Sequence, residues 1–174
     1  MEAKGVVVIT LVLSLAAAAG AARPKETTMG LTRRGLASEP MTHLHFYFHD
    51  KVSKPSPTSV RVVDSVDSES LFGSLYVMDD ALTEGPEPES QPVGWAQGMY
   101  MSTGLAKLGL LQVMNLVVVT VLGRNGPFGN VREMPVIGGT GTFRFSRGYA
   151  QLKTHTLDLK KNDAIVEYNV YIMH

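Results

Sequence analysis

Alternation of apolar and polar residues near both ends of the main body of this chain constrains its fold most. In Thr42–Asp50, the side chains of Leu44, Phe46 and Phe48 fall on one face, whereas the intervening positions carry three histidines and a tyrosine. Ala164–Ile172 has the same two-residue period. This period is typical of half-buried β-strands, and no long stretch of the domain shows the spacing of a helix. The sequence therefore predicts an all-β domain.

Further strands are predicted between segments rich in glycine and proline, because these residues break strands and form turns. The segments are Val60–Asp64, Phe72–Asp79, Val93–Ser102, the second half of Leu108–Leu122, Val131–Ile137, Thr142–Gln151 and a short Thr154–Leu159. Seven or eight short strands joined by turns favour an antiparallel barrel or a sandwich. No fixed-period repeat is present, which argues against a propeller or a solenoid.

The N-terminal segment is predicted to lie outside the folded domain. A short basic start, an apolar run at residues 6–18 and small residues up to Ala22 have the order of a secretory signal peptide. The alternative is a membrane anchor, which needs a longer apolar run of roughly 20 residues. Residues 1–22 are thus expected to be removed, residues 23–41 to form a flexible leader, and residues 42–174 to form the domain.

Composition excludes several classes of function. The chain has 16 Lys and Arg against 16 Asp and Glu, so the excess positive charge that drives nonspecific nucleic-acid binding is missing. It has no cysteine, which rules out disulfides, thiolate metal sites and cysteine nucleophiles.

Two motifs could indicate a bound ligand, but each has a simpler interpretation. Gly138–Gly141 lacks the Lys-Ser/Thr ending of a phosphate loop, and a strand is predicted to follow it, which favours a glycine turn or bulge. His43, His45 and His49 share a strand face and could ligate zinc or copper. Because that face is opposite the phenylalanines, exposure to solvent or to a subunit contact is favoured over a metal site. No cofactor or metal is predicted.

Acidic residues and a phenol on strands are the stronger indication of chemistry. Asp50 continues the apolar face of Phe46 and Phe48, and Asp79 and Tyr100 also lie on predicted strands. A carboxyl group desolvated among apolar side chains has a raised pKa and can donate a proton near neutral pH. The alternatives are a strand-end aspartate that caps a turn and an ordinary half-buried tyrosine.

Six segments of the sequence resemble the plant dirigent proteins in content and in order. They are HFYFHD (45–50), FGSLYVMDDALTEGP (72–86), VGWAQGMY (93–100), VLGRN (121–125), VREMPVIGGTGTFRFSRGYA (131–150) and DAIVEYNVYIMH (163–174). The resemblance covers residues 42–174. It implies a secreted, eight-stranded antiparallel β-barrel that assembles as a homo-oligomer, a trimer or a dimer.

The resemblance also implies a function. Dirigent proteins have no oxidising centre, and a separate laccase or peroxidase makes phenoxy radicals from a monolignol such as coniferyl alcohol. The dirigent protein orients the radicals so that one stereoisomer forms in lignan biosynthesis, and it assists cyclisation of the quinone methide. Holding two partners in fixed orientation replaces random encounter. The alternative is a noncatalytic cell-wall or defence protein that binds phenolics or carbohydrate in the apoplast.

Site residues follow from the resemblance, position by position. Asp50 matches the cavity aspartate thought to protonate or polarise the quinone methide, Tyr100 a cavity tyrosine, and Arg132 a cavity arginine. The other side chains expected to line the pocket are Asp79, Phe48 and Asn125.

Two departures from the family pattern have consequences. Asn125 occupies the position of a second catalytic aspartate in pinoresinol-forming members, and an amide cannot act as an acid. Between Asn115 and Val121 a longer hairpin with a Tyr-Asn-Gly-Ser-Thr turn is missing, which leaves three alternatives, namely a complete barrel, one open at an edge or one that is poorly folded. Trp95 in place of a basic residue and Ala81 in place of proline are milder changes.

Overall fold

The structure, a computed structural model, describes residues 40–174, which form nine strands and one 3₁₀ turn. The predicted signal peptide at 1–22 and the leader at 23–41, apart from its last two residues, lie outside the described residues. The strands are β1 Met41–Asp50, β2 Ser59–Val63, β3 Leu75–Thr83, β4 Pro92–Ser102, β5 Leu110–Leu116, β6 Val119–Asn125, β7 Arg132–Gly139, β8 Arg147–Asp158 and β9 Asp163–Met173.

The strands form one antiparallel sheet that closes on itself as an eight-stranded barrel. Its order is β1-β9-β8-β7-β6-β5-β4-β3, and β3 returns to β1 through the pairs Thr83 with Tyr47 and Leu82 with Phe48. The short strand β2 pairs with the remaining part of the same β3 edge. The predicted all-β barrel is confirmed, and the alternative of a barrel open at one edge is wrong.

Alternation along the strands fills the barrel with apolar side chains. Phe46 and Phe48 of β1 pack against Tyr168 of β9, with ring centroids 5.5 and 5.7 Å from that of the tyrosine. Strands β3 to β9 supply the rest of the buried core, which includes Met78, Leu82, Met114, Val121, Met134 and Leu152. An eight-stranded barrel has an interior just wide enough for its own side chains or for one small ligand.

The missing hairpin residues shorten two strands without breaking their pairing. Strands β5 and β6 keep seven residues each in unbroken register, from Leu110 opposite Asn125 to Leu116 opposite Val119. The connection is a tight γ-type turn in which the Val118 N–H donates to the Leu116 carbonyl at 2.6 Å. The barrel closes because this loss falls on a hairpin end, where register is still set by the paired strands.

The tight turn places a valine in an unfavourable backbone conformation, which gives a test of the shortened hairpin. Val117 has a φ of 56°, a left-handed value that costs a β-branched residue about 1–3 kcal/mol. Glycine adopts this value freely but loses up to about 1 kcal/mol through unfolded-state entropy. We therefore expect Val117→Gly to increase the free energy of unfolding by about 1 kcal/mol, measured by urea denaturation. In the matched control, Val118→Gly should decrease it, because Val118 packs against the core; a loss of stability in both variants would contradict the prediction.

Several predicted strand boundaries are corrected by the structure. Thr142–Gln151 and Thr154–Leu159 are not two strands, because a 3₁₀ turn at Gly141–Phe143 delays β8, which then runs unbroken to Asp158. Similarly, Leu108–Leu122 contains all of β5, the γ-turn and the first four residues of β6. The glycine motif forms a bulge and turn between β7 and β8, as favoured by the sequence.

Within residues 40–174, no helix has the length and hydropathy required to cross a lipid bilayer.

Candidate functional site

Asp50 is the last residue of β1, and strand alternation places its side chain on the same inward face as those of Phe46 and Phe48. It stands opposite Ala164 of β9 and is only partly accessible to solvent. Burial raises the pKa of its carboxyl group to about 6, against weaker opposing effects of hydrogen bonds from Ser59 and Tyr100. The predicted desolvated acid is therefore present, and it holds its proton at mildly acidic pH.

Tyr100 reaches Asp50 from β4. Its hydroxyl donates to Asp50 Oδ1 over 3.5 Å, and its ring is stacked on that of Tyr76 at a centroid distance of 4.9 Å. Burial raises the pKa of the phenol well above its usual value, so it remains a neutral donor at every physiological pH. Stacking on β3 fixes the ring, which fixes the position of the hydroxyl.

Arg132 brings a cation into the barrel at the start of β7. Its Nη1 donates to Thr154 Oγ1 at 2.7 Å and to the Gly129 carbonyl at 3.4 Å, while its buried Nε has no partner among the described residues. Burial lowers the pKa of this guanidinium, although arginine remains charged. A buried N–H without a partner is costly and is suited to an oxygen-bearing ligand.

Asn125 is buried and is held by a glutamine that sequence reasoning did not single out. Its Nδ2 donates to Gln112 Oε1 at 2.7 Å, and its own Oδ1 has no partner among the described residues. Gln112 lies two residues before the buried Met114 on β5, so strand alternation alone would have placed it on the inward face. The amide can accept or donate a hydrogen bond but, as expected from the sequence, cannot supply a proton.

The side chains of Asp50, Tyr100 and Arg132 line one internal cavity of about 70 Å³. Apolar and amide groups form the rest of its wall, among them Phe48, Leu110, Gln112, Asn125, Val166 and Tyr168. The structure thus brings together the predicted residues Asp50, Tyr100, Arg132, Phe48 and Asn125.

A second and larger cavity of about 540 Å³ lies at the mouth of the barrel. Its wall includes His49, Lys51, Thr58, Pro88, Thr156 and Asp163, and it shares Asp50, Leu157 and Ala164 with the internal cavity. This volume lies in the usual range for small-molecule sites, whereas the internal cavity is too small for a phenolic ligand by itself. Asp50 therefore lies at the boundary between a roomy entrance and a narrow polar interior.

The expectation that Asp79 lines the pocket is corrected by the structure. Asp79 lies on the outer face of β3, where its Oδ1 accepts a hydrogen bond from Gln97 Nε2 at 3.0 Å. The adjacent Asp80 is the inward residue and is fully buried between Met78 and Leu82 of the same face. Alternation continued from Met78 would have identified Asp80 as inward, but the predicted strand ended at Asp79, one residue before it.

The three strand histidines do not converge on one point. His43 contacts Asn169 Oδ1 at 2.9 Å, His45 contacts Glu167 Oε1 at 3.0 Å, and His49 contacts Thr83 Oγ1 at 2.7 Å. Each ring thus has its own cross-strand partner.

The groups of the internal cavity place aromatic surface and unpaired polar atoms beside the larger cavity at the mouth. Phe48 and Tyr168 offer aromatic surface, while Arg132 and Asn125 offer unpaired polar atoms. A carboxylic acid that stays neutral in such a pocket can donate a proton to a ligand oxygen that is gaining negative charge.

Comparison with known proteins gives a consistent result. Residues 41–173 match the family model described as dirigent-like protein. The chain is 48% identical to Dirigent protein 21 of Arabidopsis thaliana over 176 residues, which covers 94% of this chain and 93% of the relative. It is 43% identical to Pterocarpan synthase 1 of Glycyrrhiza echinata over 160 residues, which covers 84% and 85%.

Among solved structures, a pterocarpan synthase dirigent protein superposes on this barrel with a TM-score of 0.72. The two chains are 45% identical, and the match covers 78% of this chain and 86% of the other. Similarity therefore extends through both the sequence and the barrel.

Proposed function

This chain belongs to the dirigent-like family, and from that premise we propose that it imparts stereoselectivity on the coupling of phenoxy radicals. The radicals come from a separate laccase or peroxidase acting on a monolignol such as coniferyl alcohol, so that the product is a lignan. The protein needs no cofactor for this role, because it orients its ligands and moves a proton but transfers no electron.

The observation that carries the proposal is a carboxylic acid with a raised pKa at the boundary of the two cavities. Asp50, with the Tyr100 hydroxyl beside it, can reach ligand bound in the 540 Å³ entrance. Coupling of two radicals gives a quinone methide, and a hydroxyl group of the coupled product closes the ring by forming a C–O bond to it, so that the quinone methide oxygen gains negative charge. Asp50 gives its proton to that oxygen as the charge develops and is reprotonated by the proton that the hydroxyl group releases; general acids of this kind contribute about 10²–10⁴-fold.

Arg132 and Asn125 have a supporting role in the internal cavity next to Asp50. Their unpaired Nε and Oδ1 atoms can bind phenol or methoxy oxygens, and the Phe48 and Tyr168 rings can stack on the ligand. Contacts with both these polar groups and the acid favour one orientation of the ligand, in which the acid then assists ring closure.

The similarity to pterocarpan synthases favours a second substrate for the same chemistry. Two proteins of that name, from Glycyrrhiza echinata and Glycine max, are 43% and 44% identical to this chain. A proton donor at Asp50 would serve ring closure of a pterocarpan precursor as well as of a coupled monolignol. Both a monolignol and a pterocarpan precursor are therefore included in the panel of phenols used to test the proposal.

We further propose that the protein acts as a homo-oligomer outside the cell, in the apoplast. A row of outward apolar side chains crosses five neighbouring strands and supports a subunit contact. In register, they are Val60, Val77, Met99, Val113 and Leu122. Secretion after removal of residues 1–22 would bring the protein to the oxidases that supply its radicals.

The test is product chirality with and without an added oxidant. We expect no consumption of coniferyl alcohol by the protein alone, near-racemic dimers with laccase alone, and an excess of one enantiomer with both, measured by chiral chromatography. Turnover without oxidant would exclude the dirigent role. Racemic products from every phenol in the panel, together with measurable phenol or carbohydrate binding, would favour the noncatalytic wall protein instead.

A further inference from the structure

Asp80 is a buried carboxyl group that the proposed reaction does not use directly. It is fully inaccessible on the inward face of β3 and lines neither cavity. Ser59 Oγ lies 3.1 Å from its Oδ2, and Thr58 Oγ1 hydrogen-bonds to its Oδ1. Burying an ionised carboxylate is expensive, so this placement needs a physical reason.

Ser59 connects this carboxyl group to the site. Its hydroxyl donates to Asp80 Oδ2 at 3.1 Å, and its N–H donates at 3.0 Å to the carbonyl of Lys51, the residue after Asp50. Phe48 of β1 pairs with Leu82 of β3, so Asp50 and Asp80 each lie two residues from that antiparallel pair, on the inner faces of the two strands. Ionisation of either carboxyl therefore raises the pKa of the other.

The charged and titratable groups around the two carboxyls are mostly acids and phenols. Asp163 of β9 acts on Asp50, while Asp79 acts weakly on Asp80 from the outer face of β3. Tyr100 of β4 and Tyr168 of β9 feel the charge of both carboxyls. Nearby cations among the described residues are Arg132 in the internal cavity and Lys51 at the mouth, where His49 also lies. None of these cations is among the groups that set the protonation of Asp80.

We propose that Asp80 and Asp50 form one carboxyl pair that retains a shared proton, with Asp80 as the positioning residue that keeps Asp50 able to donate. This inference rests on the proposed function for its purpose, but the pairing itself is a property of the ligand-free protein. Two carboxylates in a water-poor interior repel each other, so the second proton leaves the pair reluctantly.

The expected titration follows from this coupling. Burial, with a further contribution from the charge of Asp50, raises the pKa of Asp80 to about 7, against about 6 for Asp50. Interacting acids lose protons in two steps that belong to the pair. The last proton should therefore leave near pH 7, where half of the molecules should still hold one proton on the pair.

Replacing Asp80 by asparagine removes one charge while keeping the size of the side chain. The remaining Asp50 should then titrate as a single group near pH 6, one unit below the last step of the pair. Only about a tenth of the molecules would hold a proton there at pH 7, against about half for the pair. Asp79→Asn is the matched control, one residue away on the outer face, and should leave both steps in place. Ser59→Ala should act in the opposite direction, because its hydrogen bonds stabilise the ionised carboxylates and their loss raises both steps.

The experiment is a ¹³C NMR titration of the aspartate carboxyls in the ligand-free protein and in the three variants. A last step near pH 7 that falls to about 6 in Asp80→Asn and rises in Ser59→Ala would support the pair. Titration of both carboxyls near their ordinary value, or an unchanged last step in Asp80→Asn, would overturn it. If Asp80→Asn does not fold, Asp50→Asn decides, because removal of the Asp50 charge should lower the last step in a pair and leave it unchanged for independent carboxyls.

A second measurement separates this inference from the proposed function. When enantiomeric excess is plotted against pH, its decline at high pH should occur one pH unit lower in Asp80→Asn than in the wild type. At pH 7 the variant should form about fivefold less of the selective product than the wild type. A merely structural role would lower stability without moving that decline. If the NMR steps shift as expected but the protein shows no selectivity at any pH, the pair stands and the dirigent reaction fails. If selectivity is present and the NMR steps do not shift, the pair fails.

Discussion

Asp50→Asn is expected to abolish most of the stereoselectivity of the protein while leaving the barrel folded. The amide keeps the size and the hydrogen bond from Tyr100 but has no proton to donate to a quinone methide oxygen. Loss of a general acid lowers the rate of the assisted ring closure by about 10²–10⁴-fold, so unassisted reaction of the quinone methide outside the pocket, which does not distinguish its two faces, should dominate the products. The enantiomeric excess, measured with laccase and coniferyl alcohol, should fall close to zero.

Two comparisons make this result specific to the acid. Tyr100→Phe removes the neighbouring hydroxyl but leaves the carboxyl, so it should retain part of the selectivity. Circular dichroism and the urea midpoint must show that Asp50→Asn is folded. A folded Asp50→Asn protein as selective as the wild type would show that Asp50 is a structural strand-end residue, and Arg132 with Asn125 would become the groups to examine.

Stability should fall as pH rises from about 4 to about 7, because folding raises the pKa of two carboxyls. The pKa of Asp50 increases from 3.8 to about 6 and that of Asp80 from 3.8 to about 7, both mainly through burial. The folded state then binds more protons than the unfolded state across this window, so the free energy of unfolding decreases with pH. At about 1.4 kcal/mol per pKa unit, the losses are at most about 3 kcal/mol for Asp50 and about 4 kcal/mol for Asp80.

Other groups modify this profile at its edges. Hydrogen bonds from Ser53 and the neighbouring backbone lower the pKa of Asp163, so its contribution is lost only as pH falls below the window. Burial lowers the pKa of His49, which opposes the carboxyl effect near pH 6. The two carboxyls exceed this single histidine, so the net slope remains downward.

Urea denaturation at a series of pH values measures this profile directly. The wild type should lose several kcal/mol between about pH 4.5 and pH 8, whereas the double variant Asp50→Asn with Asp80→Asn should be nearly flat. A wild-type curve that rises through this range would mean that both carboxyls are ionised in the folded protein. The proposed acid would then have no proton to give.

Much of the fold and of the site could be predicted from local sequence patterns. Alternation in Thr42–Asp50 placed Phe48 and Asp50 on the inner face, because side chains of a strand point to opposite sides at every step. The same rule identified the last strand, and glycine and proline marked most turns. Ordered motifs identified the family and pointed to Tyr100 and Arg132.

Boundaries and register depended on contacts that no local pattern contains. Asp79 and Asp80 are adjacent on β3, and a shift of one residue in the register of a strand moves each side chain to the opposite face of the sheet. The local pattern therefore does not decide which of the two carboxyls faces the interior. That register is set by pairing with β1, β2 and β4, which are distant in sequence.

Closure of the barrel and assembly of the site were likewise decided by tertiary structure. Tyr47 and Phe48 pair with Thr83 and Leu82 across more than thirty residues of chain, and this pairing closes the sheet despite the shortened hairpin. The sequence by itself determined which side chains could be buried and could carry a proton, because burial and acidity follow from residue type and strand period. Only the folded barrel decided which of them meet, since Asp50, Ser59 and Asp80 come from three strands and their pKa values depend on the low-dielectric interior that those strands enclose.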